Sequence, residues 1–198
     1  MSGHFPHRSP RQGGAARAAA LLVCLLALVL SGRRAALGAE PAPRLDKGLE
    51  YKVKAAYIYN FIKFIDWSGA APMNPAGPIR ICVLGKDPFG PALAPFSRRE
   101  ARGRRLAVER IPSANLSGGC HVVFVCDSER GRLEEVLKEA GRGSALTVGE
   151  SEGFAARGGI IGFVIRGGKV RLEINRRAAE AAGLKISAKL LELATIVD

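Results

Sequence analysis

The stretch from Gly158 to Val197 constrains this chain more than any other. Gly167-Gly168 separates two segments of strand-forming residues, and a glycine pair suits a two-residue hairpin turn that needs positive φ at both positions. The first segment, Ile160 to Ile165, is almost wholly apolar and reads as a strand buried on both faces. The second alternates, with Val170, Leu172 and Ile174 on one face and Arg171 and Glu173 on the other. Asn175 can cap a short helix that stops at Gly183, and Ser187 can cap a last one.

Upstream, strand and helix patterns alternate. A helix is expected over about Leu49 to Asp66, with Val53, Ala56, Tyr57, Asn60, Phe61 and Phe64 on one face and Ile58, Ile62 and Ile65 on another. So apolar a helix must be covered widely. Core burial and an interface with a partner or a second copy fit the pattern equally, and Tyr57, Phe61, Phe64 and Trp67 are the interface candidates. Strands are expected at Ile79–Leu84, Leu106–Ile111, Cys120–Val125 and Ala145–Val148. A short helix is expected near Pro88 to Phe96, and the basic run from Ser97 to Arg105 reads as a solvated loop, with contact to an anion as the alternative. Asp127 or Ser128 would cap a helix with Leu133, Val136, Leu137 and Ala140 as its stripe and Gly141 as its end. Glu152 to Arg157 reads as one helical turn with Phe154 packed inward. This order predicts a single-domain α/β sandwich: a mostly parallel sheet, an antiparallel C-terminal hairpin, and helices on both faces.

Residues 1–39 read as a secretory signal: a basic start (Arg8, Arg11, Arg17), an apolar run from Ala18 to Leu30 too short for a comfortable span, and a small-residue region. An uncleaved anchor is the alternative. Residues 40–48 read as a flexible lead-in and 49–198 as the domain. Without residues 1–39 the chain carries 25 basic and 18 acidic side chains, a net charge of +7. That suits an anionic ligand, surface or partner, or simply a solvated basic surface. No nucleic-acid module is present. Cys82, Cys120 and Cys126 remain. Export favours one disulfide and one free thiol, while three buried reduced thiols stay open; the residues alone do not choose the pair.

Catalytic signatures are missing. His121 is the only histidine after the leader, one ligand where zinc needs three or four. It reads as a structural hydrogen-bonding residue. There is no nucleophile elbow, and no metal or cofactor is implied. Gly85-Lys-Asp-Pro-Phe-Gly lacks the glycine spacing of a nucleotide loop. Arg176 and Arg177 open the helix after Asn175, where they could receive an anion, reach into solvent or pair with Glu173 and Glu180. Lys63, Asn175, Arg176 and Lys189, with Trp67, form a candidate anion or ligand set.

Four blocks carry a resemblance, in order: Lys54-Ala-Ala-Tyr-Ile-Tyr-Asn-Phe-Ile-Lys-Phe-Ile-Asp-Trp67, Ile79-Arg-Ile-Cys-Val-Leu-Gly-Lys-Asp-Pro-Phe-Gly90, Gly119-Cys-His-Val-Val-Phe-Val125 and the C-terminal block. The chain after about Asp46 resembles the YfiR family of small periplasmic proteins. The resemblance implies a disulfide between Cys82 and Cys120. It also implies a periplasmic repressor that binds the periplasmic domain of an inner-membrane diguanylate cyclase, lowers cyclic di-GMP and so restrains biofilm formation. A homodimer, redox sensitivity and an outer-membrane-associated partner that releases the repressor belong to the same expectation. The other reading is a periplasmic ligand-binding sensor module acting with a histidine kinase or another membrane receptor. A small exported enzyme is the third reading.

Overall fold

The computed structural model describes residues 46–68, 76–112 and 119–198. The expected signal peptide and most of the expected lead-in lie outside these residues.

Helix α1 spans Lys47–Phe64, and the Asp46 carboxylate caps it by accepting from the Leu49 N–H at 2.9 Å. The helix thus begins inside the expected lead-in. It also ends before Asp66, because Ile65–Asp66 (β1) leave it to pair antiparallel with Lys185–Ile186 (β9).

The remaining strands are β2 (Ile79–Leu84), β3 (Glu100–Ala101), β4 (Arg104–Ile111), β5 (Val122–Val125), β6 (Leu146–Gly149), β7 (Ile161–Arg166), β8 (Lys169–Ile174) and β10 (Ala194–Ile196). They form one sheet in the order β10-β8-β7-β6-β5-β2-β4-β3. The core from β4 to β7 is parallel; β7 and β8 are antiparallel, and so are β3 and β4. This is the expected mixed α/β architecture, with two differences at its edges. The hairpin is not the edge, because β10 returns parallel to β8 outside it. The basic run is not a loop, because Arg102 and Gly103 (φ 54° and 72°) form the turn of the short β3–β4 hairpin.

The parallel strands separate two apolar layers. Ile81 and Val83 of β2 face α1, where Ile58, Phe61 and Ile62 are fully buried. Cys82 and Leu84 face the opposite way, onto Leu133, Val136 and Ala140 of helix α2 (Leu133–Arg142). Alternation along a doubly covered strand thus supplies both cores, as period-2 geometry requires. No side chain caps α2: residues Asp127–Arg132 form a 3₁₀ turn before it, and the Ser128 hydroxyl accepts from the Lys86 N–H instead. The helix runs one residue past Gly141, to Arg142. Residues 152–158 are turns rather than helix, with Phe154 buried as expected.

In the β7–β8 hairpin Gly167 and Gly168 have φ of 57° and 67°, the left-handed pair that the turn demands. Only the first half of β7 is buried, and Ile165 is 46% exposed near the turn. Asn175 caps the short helix α3 (Arg176–Ala181), its Oδ1 accepting from the Ala178 N–H at 2.8 Å. Ser187 precedes α4 (Ala188–Leu191) without a side-chain cap bond.

Candidate functional site

In an open α/β sheet, ligands collect outside the carboxyl ends of the strands, where successive crossovers leave on opposite faces. Here that point lies between β2 and β5. The connection after β2 runs over the α1 face through Phe89 and Leu93, while the one after β5 runs over the other face through Leu133. The crevice between them is filled by the protein itself. The Cys126 N–H donates to the Leu84 carbonyl at 3.0 Å, and the Lys86 N–H donates to Ser128 Oγ at 2.9 Å. A Cβ at Gly85 would sit 2.5 Å from Oε1 of Glu129, whose own carboxylate is held by Arg132 at 2.6 Å.

Beside that closed crevice lies a buried charged cluster. The Lys54 ammonium is held by Glu50 and, at 2.7 Å, by Glu150, which follows β6. Its side chain is only 4% exposed, and it lies 4.6 Å from the centroid of the Tyr51 ring. Burial first, then the charge and hydrogen bond of Glu150, push the Tyr51 phenol far up, so it stays protonated. Removing one member of a buried pair costs about 3–5 kcal/mol because the partner is left uncompensated. Cys126, in the same region, is a buried free thiol pushed up to about 12 by burial and then by Glu150, Asp87 and Glu129. It is therefore a protonated, unreactive thiol.

Above the cluster a cavity of about 700 Å³ opens between the first turns of α1 and residues 88–96. Its walls are Tyr51, Phe89 and Phe96 with prolines, and Lys47 and Lys52 stand beside it.

Cys82 and Cys120 are joined by a disulfide with Cα atoms 5.9 Å apart, tying β2 to the residues just ahead of β5. His121 is buried next to it. Its Nδ1 accepts from the Arg80 N–H at 3.2 Å, and its Nε2 lies 3.1 Å from the Arg104 guanidinium. Burial, then the positive charges of Arg104 and Arg80, push it down to about 4, so the imidazole is neutral. Arg104 itself donates to the Gly77 carbonyl at 2.7 Å. His121 is thus bonded to β2 through its Nδ1 and lies against Arg104 of β4.

A sequence model of the YfiR/HmsC-like family matches residues 51–195. The chain belongs to that family. No curated protein sequence matches it. Among solved structures, the protein is similar in fold to a conserved domain protein from Vibrio cholerae O1 biovar eltor str. N16961, with 13% identity over 75% of this chain and a TM-score of 0.53. It is also similar to an ABC domain in complex with L-Trp from Streptococcus pneumonia, with 13% identity, the same 75% share and a TM-score of 0.50. The chain spans 60% of the length of each. At this identity the likeness concerns the fold alone.

In this YfiR/HmsC-like protein the residues singled out from sequence are dispersed. Of the interface candidates, Phe61 is a core residue with no exposed surface, its ring 5.9 Å from that of Phe163. Tyr57 leans on both of those rings. Phe64 is 37% exposed, and Trp67 is half-buried with the Arg102 guanidinium 5.9 Å from its ring. Among the described residues, the buried Trp67 Nε1 has no hydrogen-bond partner.

The candidate ligand set does not assemble into one site. Lys63 lies 4.1 Å over the Tyr59 ring and borders a 210 Å³ depression with Phe64, Arg102 and Lys185. Arg176 borders a different one of 180 Å³. Asn175 is spent on structure, capping α3 and donating to the Ala155 carbonyl at 3.0 Å. Arg176 pairs with neither Glu173 nor Glu180 but with the last residue, Asp198, its backbone N–H donating at 3.0 Å. Glu173 is taken by Arg166 at 2.6 Å. Lys189 is simply exposed.

Sequence reading missed the Glu50–Lys54–Glu150 cluster and the cavity above it. A signal for the first was available: Glu50 and Lys54 are four apart, and Lys54 stands in an otherwise apolar run, a spacing that pairs charges on a helix. The cavity depends on the contact of α1 with residues 88–96, which no local pattern encodes.

Proposed function

We propose that this protein is a periplasmic regulator that binds the periplasmic domain of an inner-membrane diguanylate cyclase and holds it inactive. The observation that carries the reading is the family match over residues 51–195, which spans the disulfide, both core layers and nearly all of the hairpin block. The filled crevice at the carboxyl ends of β2 and β5 supports a binding role, since the usual place for a substrate is occupied by Ser128 and Glu129. A neutral His121, its Nδ1 accepting from the Arg80 N–H, is in keeping with it.

A binding protein can silence an enzyme only by preferring its inactive form, tenfold for each 1.4 kcal/mol of difference (roughly, at ambient temperature). The surface we assign to this task, or to a second copy, is the end of α1 at Phe64 and Trp67. There an exposed aromatic ring lies beside Lys63, Arg102 and Lys185. Phe61 is buried in the core, against Tyr57 and Phe163, and is not part of that surface. Release by an outer-membrane-associated partner belongs to the same reading. Deleting the gene should raise cellular cyclic di-GMP, and restoring the exported protein should lower it again. An unchanged level in the deletion strain overturns the reading.

A further inference from the structure

The cavity over Tyr51 is unrelated to the Phe64 surface and has a defined chemistry. Its volume, about 700 Å³, falls within the range of small-molecule sites, about 300–1,000 Å³. Its walls are fixed. The Phe89 ring meets Tyr51 edge-on at 5.4 Å and Phe124 at 4.7 Å, so it is braced by the core. Phe96 is braced in the same way against Tyr59, at 5.4 Å. Pro91 and Pro95 stiffen the same segment as Phe89 and Phe96 and present no N–H.

The polar groups around this cavity are already used. The Phe89 N–H donates to Asp87 Oδ1 at 2.7 Å, and the other Asp87 oxygen accepts from Arg110 at 2.7 Å. The Tyr51 phenol is engaged by Glu150, and Glu50 and Glu150 are both held by Lys54. The charged residues that line the cavity are Lys47 and Lys52, both exposed and neither in an ion pair with a described residue. No acid lines it among the described residues. An occupant must therefore bring an apolar body for the aromatic and proline walls and a negative group for the two ammonium heads. A cationic amphiphile would meet two like charges, and a purely polar anion would leave the walls uncovered.

We propose that this cavity is a binding site for an amphipathic organic acid, an acyl-sized apolar body bearing one carboxylate. The carboxylate sits between Lys47 and Lys52, and the apolar body lies along Tyr51, Phe89 and Phe96. The site stands whether or not the membrane partner is a cyclase.

The test is calorimetric titration of the full chain, as purified, with dodecanoate and with dodecyltrimethylammonium, which has the same chain length and the opposite charge. The expected result is saturable binding of dodecanoate alone. Affinity should weaken about tenfold in the Lys47→Glu/Lys52→Glu double variant and vanish in Ala92→Trp, which fills the cavity. Equal binding of the two amphiphiles, dodecanoate binding that Ala92→Trp leaves intact, or no binding of dodecanoate overturns the proposal. Should Ala92→Trp fail to fold, the double variant decides alone, because both its lysines are exposed. Unchanged affinity there overturns the proposal too.

Discussion

His121 shows how one residue can be read correctly in type and still hold an unforeseen consequence. Its pKa falls from an ordinary 6.5 to about 4, first through burial and then through Arg104 and Arg80. The folded protein thus binds fewer protons here than the unfolded chain between those values. Stability from this site is complete above pH 6.5 and is lost as the pH falls towards 4, by on the order of 3 kcal/mol. Chemical denaturation at pH 7.5 and pH 4.5 should show that loss in the wild type and a smaller one in His121→Gln. An identical pH dependence in the variant would contradict the assignment. Other residues were legible in part. Asn175 was readable as a cap because its position between a strand and a helix start defines that role. Phe61 was not separable from Phe64 by spacing, since both fall on the same expected helix face. Only the sheet behind α1 decides that one is core and the other is partly exposed.

At the scale of elements, long periodic segments were readable and short ones were not. The β7–β8 hairpin, α1, and strands β2 and β5 follow from local pattern and turn chemistry. Strands β1, β9 and β10 have two or three residues each. Segments so short have no periodicity, and their pairing is set by where α1 and α4 bring them. The disulfide belongs to this scale because it fastens β2 to the approach to β5 across 38 residues of sequence. Closing a loop of that length stabilises by about 3–4 kcal/mol in the chain-entropy account. The Cys82→Ser/Cys120→Ser variant should lose about that much in urea denaturation. Reductant should then have no further effect, since Cys126 is a buried lone thiol among the described residues. A variant as stable as the oxidised wild type would contradict a structural role. If the loss is confirmed, reduction would loosen the sheet centre and weaken the proposed repression.

The molecule as a whole combines a doubly covered sheet, whose usual ligand crevice is closed, with two separate surface features at opposite ends of α1. One is the aromatic, basic patch around Phe64, and the other is the lysine-flanked cavity over Tyr51. The architecture was legible because strand and helix patterns alternate along the chain. The sites were not, because each is assembled from segments far apart in sequence, such as Phe64 with Lys185 or Tyr51 with Phe96. The central claim is that the Phe64 surface holds a membrane diguanylate cyclase. The most direct measurement is in-cell crosslinking of the exported protein, with mass spectrometry of the captured membrane species, for wild type and Phe64→Glu. The account predicts that wild type captures a diguanylate cyclase and that Phe64→Glu, folded and exported to the same level, does not. Capture of a histidine kinase or a transporter in its place, or equal capture of the cyclase by both proteins, would contradict it.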